Sequence, residues 1–224
     1  MQKLTLLDFP GKVACTVFTA GCNFRCPFCH NTSLVTGAEA TKDDLDTEEF
    51  FSFLRSRQGR LDGVCVSGGE PLLQKDIREF ILRIREMGFL VKLDTNGSFP
   101  DVLESLLKGG LIDYVAMDIK SSPEHYERAV GLPSAPVAQI GRSIQILLTS
   151  SVPFEFRTTV VDELHVRDDF SSIGEWISGA PRYYLQEFSD SGDVLSPGCH
   201  AMGREQMQEA ARTISDFVSN VAIR

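Results

Sequence analysis

Apolar runs and helix-period patterns alternate along the chain. Positions 14–19 (ACTVFT) read as a strand, and a loop rich in glycine and cysteine follows. Positions 47–57 read as a helix with Phe50, Phe51 and Leu54 on one side, and 61–67 as a strand stopped by Gly68-Gly69-Glu70-Pro71. Between Lys75 and Met87, Ile77, Phe80, Ile81 and Ile84 recur at steps of three and four, the period of an amphipathic helix. A strand at 89–93 ends at Asp94-Thr95-Asn96-Gly97, and a helix at 99–108 is stopped by Gly109-Gly110. A strand at 112–117 ends at Asp118. Short helices are expected at 123–130 and 136–148, a strand at 155–161, a helix at 170–177 and a strand at 183–188. A long helix over 204–221 closes the chain as a C-terminal cap at 203–222.

Six strands separated by helices argue for an α/β fold with a parallel sheet, because each crossover must return over a sheet face. The sheet is either open and doubly wound or curved into most of a barrel. A complete barrel needs eight such units in about 250 residues. Six units in 224 residues point to an incomplete one, and no repeat or linker divides positions 1–224. Parallel sheets bind ligands at the carboxyl ends of their strands. Cys22, Cys26 and Cys29, then Gly68 to Pro71, then Asp94 to Gly97, then Asp118 to Lys120 all fall at such ends. Four loops should therefore meet around one mouth.

Composition narrows the class. With 42% hydrophobic and 24% charged residues the chain can bury a core, which excludes a disordered one. The formal charge of −9 and the lack of a basic stripe argue against nucleic-acid binding. No apolar run approaches membrane-spanning length, and no secretion signal opens the chain, so the cytoplasm is the expected compartment. Asp8, Asp43 and the acidic run at 44–49 read as solvated faces.

The cysteines carry the chemistry. Of six, at 15, 22, 26, 29, 65 and 199, three fall within eight residues as Cys22-x3-Cys26-x2-Cys29. In a reducing compartment they remain thiols, and soft thiolates select zinc, copper(I) or iron–sulfur clusters. A four-iron cubane held by three cysteines would keep one iron open for a reacting ligand. Zinc stays open as well, because His30 or the distant Cys199-His200 completes a count of four. Cys15 and Cys65 lie in strand patterns and read as small buried hydrophobes. There is no phosphate loop, no zinc-protease signature, no nucleophile elbow and no second cysteine cluster.

The string TAGCNFRCPFCHN, with the opening LLDFPGKVACTVFTAGCNFRC, resembles the cluster loop of radical S-adenosylmethionine (SAM) enzymes. Within that superfamily it is most similar to the activating proteins of anaerobic ribonucleoside-triphosphate reductase, a glycyl-radical enzyme, and the similarity runs through at least Gly131. The resemblance implies a partial, about six-stranded parallel β/α barrel. It implies a 4Fe-4S cluster on Cys22, Cys26 and Cys29 in a loop at 20–31, with SAM on the open iron. Gly68, Gly69 and Glu70 would meet the SAM amino group, Phe28 the adenine, and Lys120 with Arg157 the carboxylate. Gln186 would reach the ribose, and Asp94, Thr95 and Asp118 would hold a monovalent cation nearby.

The implied activity is reductive cleavage of SAM to a 5′-deoxyadenosyl radical that takes a glycine α-hydrogen from a partner glycyl-radical enzyme. A low-potential donor such as flavodoxin or ferredoxin would supply the electron. Two other readings stand beside it. One is a radical SAM enzyme acting on a small molecule, similar to the deazapurine synthases. The other is a non-enzymatic iron–sulfur or zinc module, which a complete ligand set with no room for SAM would support.

Overall fold

The computed structural model describes residues 1–36, 45–190, 192 and 194–224, so the expectations for Asp43 and Asp44 lie outside the described residues. Eight strands form one sheet whose spatial order is their chain order. They are β1 (Gln2–Thr5), β2 (Ala14–Thr19), β3 (Gly63–Gly68), β4 (Leu90–Thr95), β5 (Tyr114–Asp118), β6 (Phe154–Val160), β7 (Tyr183–Glu187) and β8 (Val221–Ile223). Pairing from β2 through β8 is parallel, and only β1 runs antiparallel, against β2. The helices are α1 (Thr32–Thr36), α2 (Thr47–Arg55), α3 (Ile77–Glu86), α4 (Pro100–Lys108), α5 (Tyr126–Val130), α6 (Val137–Leu148), α7 (Arg167–Trp176) and α8 (Arg204–Ile214). No described helix is long and apolar enough to cross a membrane.

Strand alternation divides the sheet into two unlike faces. Cys15, Val64, Val66, Val91, Leu93, Val115, Met117 and Phe156 point one way and are fully buried. Against such residues the helices pack their apolar stripes, for instance Ile77, Ile81 and Ile84 of α3. The strand register aligns the other face into polar rows. Thr16, Cys65, Lys92 and Tyr114 stand side by side, and two rows on Asp118 pairs in register with Arg157, and Arg157 with Tyr184. A polar inner face on a sheet whose end strands β1 and β8 do not pair is the concave side of a partial barrel.

The six expected strands are the six inner ones, β2 to β7, and two short edge strands extend them. Three or four residues carry too little period-two signal to reveal β1 or β8 in the sequence. The expected closing helix over 204–221 is shorter: α8 ends at Ile214, and the chain turns into β8. Phe217 and Val218, which match the helical spacing, sit in that turn. Gly174 in α7 leaves the space that Phe217 fills, since a Cβ there would stand 2.5 Å from the ring. The run at 44–49 is more than a solvated face, because Asp46 caps α2 by accepting from the Glu48 amide at 2.9 Å. Asp8 likewise accepts from the Thr16 hydroxyl at 2.5 Å.

Candidate active site

The loop after β2 is held by backbone bonds to four other segments. Gly21 donates to the Leu34 carbonyl at 2.7 Å, Arg25 to Val130 at 2.8 Å, Ser196 to Pro27 at 2.9 Å and Glu70 to Gly21 at 2.9 Å. Arg25 also folds its guanidinium over the loop and donates to the Cys22 carbonyl at 2.6 Å. Cys26 and Phe28 are buried, while Cys22 and Cys29 are half-buried. Burial pushes the Cys26 thiol up to about 12 and raises that of Cys22 as well. Burial thus favours the neutral thiol at Cys26 and Cys22, and metal loading there must displace their protons.

The glycine pair after β3 packs against this loop. Gly69 donates to the Thr19 carbonyl at 2.9 Å. A Cβ on Gly69 would stand 2.0 Å from the Gly21 carbonyl oxygen, and Gly68 takes φ +130. The pair therefore lets the β3 end close on the cysteine loop, and both glycines line the same cavity as the cysteines.

Glu70 departs from the expectation. Its side chain is fully buried and absent from that cavity. The carboxylate instead accepts from the amides of Leu72 at 3.0 Å and Asn96 at 2.7 Å, and from the Thr95 hydroxyl at 2.8 Å. Burial raises its pKa to about 7, against the pull of these three donors. It thus ties the β3 loop to the β4 loop from a buried position that does not line the cavity. Glu70→Gln would put an NH2 group against one of these donors, a loss of about 1–3 kcal/mol. A fall of that size in the urea unfolding free energy is expected, and an unchanged midpoint would contradict this role.

Across β4, β5 and β6 runs a chain of alternating charge. Lys92 is paired with Asp94, and the Asp94 carboxylate lies 3.8 Å from Arg157 Nη1. Arg157 Nε donates to Asp118 at 2.9 Å, and Lys120 Nζ donates to the other Asp118 oxygen at 3.0 Å. Burial alone would raise the Asp118 carboxyl, but Arg157 and Lys120 outweigh it and hold it at about 2. Asp118 in turn keeps both cations firmly charged despite the burial that opposes it. The Lys120 ammonium stands 5.9 Å from the Phe28 ring centroid, at the cysteine loop. His165, which the sequence reads as a surface residue or a local hydrogen bonder, is the latter: it is buried, and its Nε2 lies 3.0 Å from the Lys120 carbonyl oxygen.

One cavity of about 260 Å³ collects these groups. Cys22, Cys26, Cys29, Phe28, Gly68, Gly69, Asp94, Thr95, Asp118, Lys120, Arg157 and Gln186 all line it. Its strand residues come from β3 through β7, which in a flat sheet would spread over about 19 Å. Sharing one small cavity requires the sheet to curl. Other lining residues escaped the sequence reading as ligand contacts, among them Phe24, Val35, Ser67 and Thr159. Thr159 was in principle visible, since it sits two positions beyond Arg157 on the same strand. Lys92 was missed outright, although a lysine inside a buried strand two residues before Asp94 is itself a signal.

The model of the Radical SAM superfamily matches residues 16–168, the span that carries the cysteine loop and strands β2 to β6. The chain belongs to the radical SAM superfamily. Along 99% of its length it is 32% identical to "Putative glycyl-radical enzyme activating enzyme MJ1227" of Methanocaldococcus jannaschii, covering 92% of that protein. It is also 32% identical to the pyruvate formate-lyase-activating enzyme of Listeria monocytogenes over 61% of this chain, spanning 58% of that enzyme. Among solved structures, Streptococcus suis SuiB bound to S-adenosylmethionine superposes with a TM-score of 0.71. That match covers 93% of this chain and 49% of SuiB at 13% identity, and so bears on the fold alone.

Radical SAM proteins are enzymes whose cofactors are a 4Fe-4S cluster and SAM. The donor set suits such a cluster. Three cysteines edge one cavity, while no three described His, Cys, Asp or Glu side chains gather tightly enough for a single ion. A lone zinc asks for such a tight set, whereas a cubane spreads its thiolates. The cavity runs on from the cysteines to Lys120 and Arg157, so room for a second ligand stands beside them. The monovalent cation does not fit in the same way. Asp118 has both oxygens on side-chain cations, Asp94 is shared between Lys92 and Arg157, and the Thr95 hydroxyl donates to Glu70 and accepts from the Gly97 amide.

Proposed function

We propose that this radical SAM enzyme activates a glycyl-radical enzyme, with its three-cysteine loop holding the cluster and the adjoining charged cavity holding SAM. The observation that carries the SAM site is the alternating chain, which ends in an unbalanced cation beside the cysteine loop. Among the described residues, Lys92, Arg157 and Lys120 form ion pairs only with Asp94 and Asp118, three cations to two carboxylates, with Glu155 acting on Arg157 from further away. A ligand carboxylate at Lys120 and Arg157 would balance the third cation, and such charge-assisted bonds are the strong ones. Gly68 and Gly69 offer backbone, whose carbonyl oxygens suit an ammonium group. Gln186 and Thr159 stand on the opposite wall for sugar hydroxyls, and Phe24, Phe28 and Val35 supply apolar cover that keeps water away.

Bound there, the cluster and SAM supply one-electron reductive cleavage of SAM and abstraction of a hydrogen atom. The chain's own work is to orient SAM through its two charged ends and to shield it. That the hydrogen comes from a glycine of a partner protein is supported by the full-length similarity to MJ1227 and the shorter one to a pyruvate formate-lyase activator. Anaerobic ribonucleoside-triphosphate reductase as that partner is supported by the cysteine-loop resemblance, with flavodoxin or ferredoxin as electron donor.

Electron paramagnetic resonance on reconstituted, reduced protein tests the site first. A four-iron signal that changes shape on adding SAM is expected, and a signal indifferent to SAM would overturn the site. Incubation with the reductase and with pyruvate formate-lyase then tests the partner. A glycyl radical in the reductase alone supports the narrower reading, one in the lyase alone replaces it, and none in either removes glycyl-radical activation for both.

A further inference from the structure

The chain sets a cation of its own on Asp94, one of the residues the resemblance assigns to an inorganic one. Lys92 is 1% exposed, deep in the barrel, with its ammonium on Asp94 and 3.8 Å from Cys65 Sγ. The carboxylates meant to ligate a metal cation, Asp94 and Asp118, already face three side-chain cations between them. The nearby Glu155 is served separately, by the Tyr114 hydroxyl at 2.8 Å and by Arg224 at 3.7 Å, and Asp8 by Thr16. A further cation would enter a group in which Lys92, Arg157 and Lys120 already outnumber Asp94 and Asp118, and in which each oxygen of these two carboxylates already faces a side-chain cation. Like charges inside a desolvated cluster repel strongly.

We propose that the Lys92 ammonium replaces the inorganic monovalent cation, so that SAM binding in this enzyme needs neither potassium nor sodium. The proposal rests on the SAM-site reading above. Lys92 acts as a positioning residue: by neutralising Asp94 it leaves Arg157 and Lys120 free to meet the ligand carboxylate. Without it, Asp94 draws on Arg157, the cluster loses its third cation, and the carboxylate is bound less well.

The test is SAM affinity, by calorimetry on reconstituted protein, in potassium, sodium and tetramethylammonium chloride at equal ionic strength. The unaltered protein is expected to bind SAM equally in all three. Lys92→Ser opens room for an ion, and should bind about tenfold more weakly in tetramethylammonium and recover in potassium. Lys92→Met fills the room without charge, and should be weak in every salt. Recovery by potassium is a readout that a merely structural lysine would not produce.

Affinity of the unaltered protein that rises with potassium would overturn the proposal and leave the SAM site standing. Lys92→Ser binding as tightly as the unaltered protein in tetramethylammonium would overturn it too. If the serine variant fails to fold, the salt comparison on the unaltered protein still decides. No SAM binding in any salt would remove the site reading itself, and this inference with it.

Discussion

Cys26→Ala is expected to give a folded protein that assembles no cluster and cleaves no SAM above background. The side chain is small and buried, so its removal costs the fold only about 1 kcal/mol, while it takes away one of three thiolates. Two cysteines cannot hold a cubane against loss to solvent, and partial ligation does not substitute. Iron and sulfide content, with circular dichroism as the check on folding, reads the result. Cys15→Ala and Cys199→Ala are the controls, since Cys15 faces the helices and Cys199 does not line the cavity. Iron retained in Cys26→Ala, or lost in Cys199→Ala, would show that a different donor set holds the metal.

Lys120→Met should leave iron content and the reduced signal intact while weakening SAM binding by about 2–3 kcal/mol, some 30- to 150-fold. Methionine keeps the apolar stem, and Arg157 remains on Asp118 at 2.9 Å, so no buried carboxylate is abandoned. What disappears is the cation nearest Phe28 and the cysteine loop. Asp118, no longer held down from two sides, should titrate above its present value of about 2. Unchanged SAM affinity would sink the assignment of Lys120 to the carboxylate.

These effects differ in how far the sequence foretold them. The cysteine spacing and the loops after four successive strands needed no coordinates, because parallel strands deliver their carboxyl ends to one edge. Arg157 was a candidate whose direction alternation alone left open; the register with Asp118 turns it into the barrel. Glu70 looked like a ligand contact because a carboxylate beside two glycines suits an ammonium. The structure spends it on Leu72, Thr95 and Asn96, partners up to 26 residues away, and only the fold sets such distances.

Local pattern therefore determined the alternating α/β order, the six inner strands, the cysteine loop and most residues of the mouth. Each depends on periods and spacings within a few residues of chain. Tertiary structure decided the two edge strands, the early end of the last helix, the burial of Lys92 and the pairing of five charges into one chain. Those depend on which strands lie side by side and how the sheet curls. A buried charge is stable only with its partner, and for this chain the partners come from three separate strands.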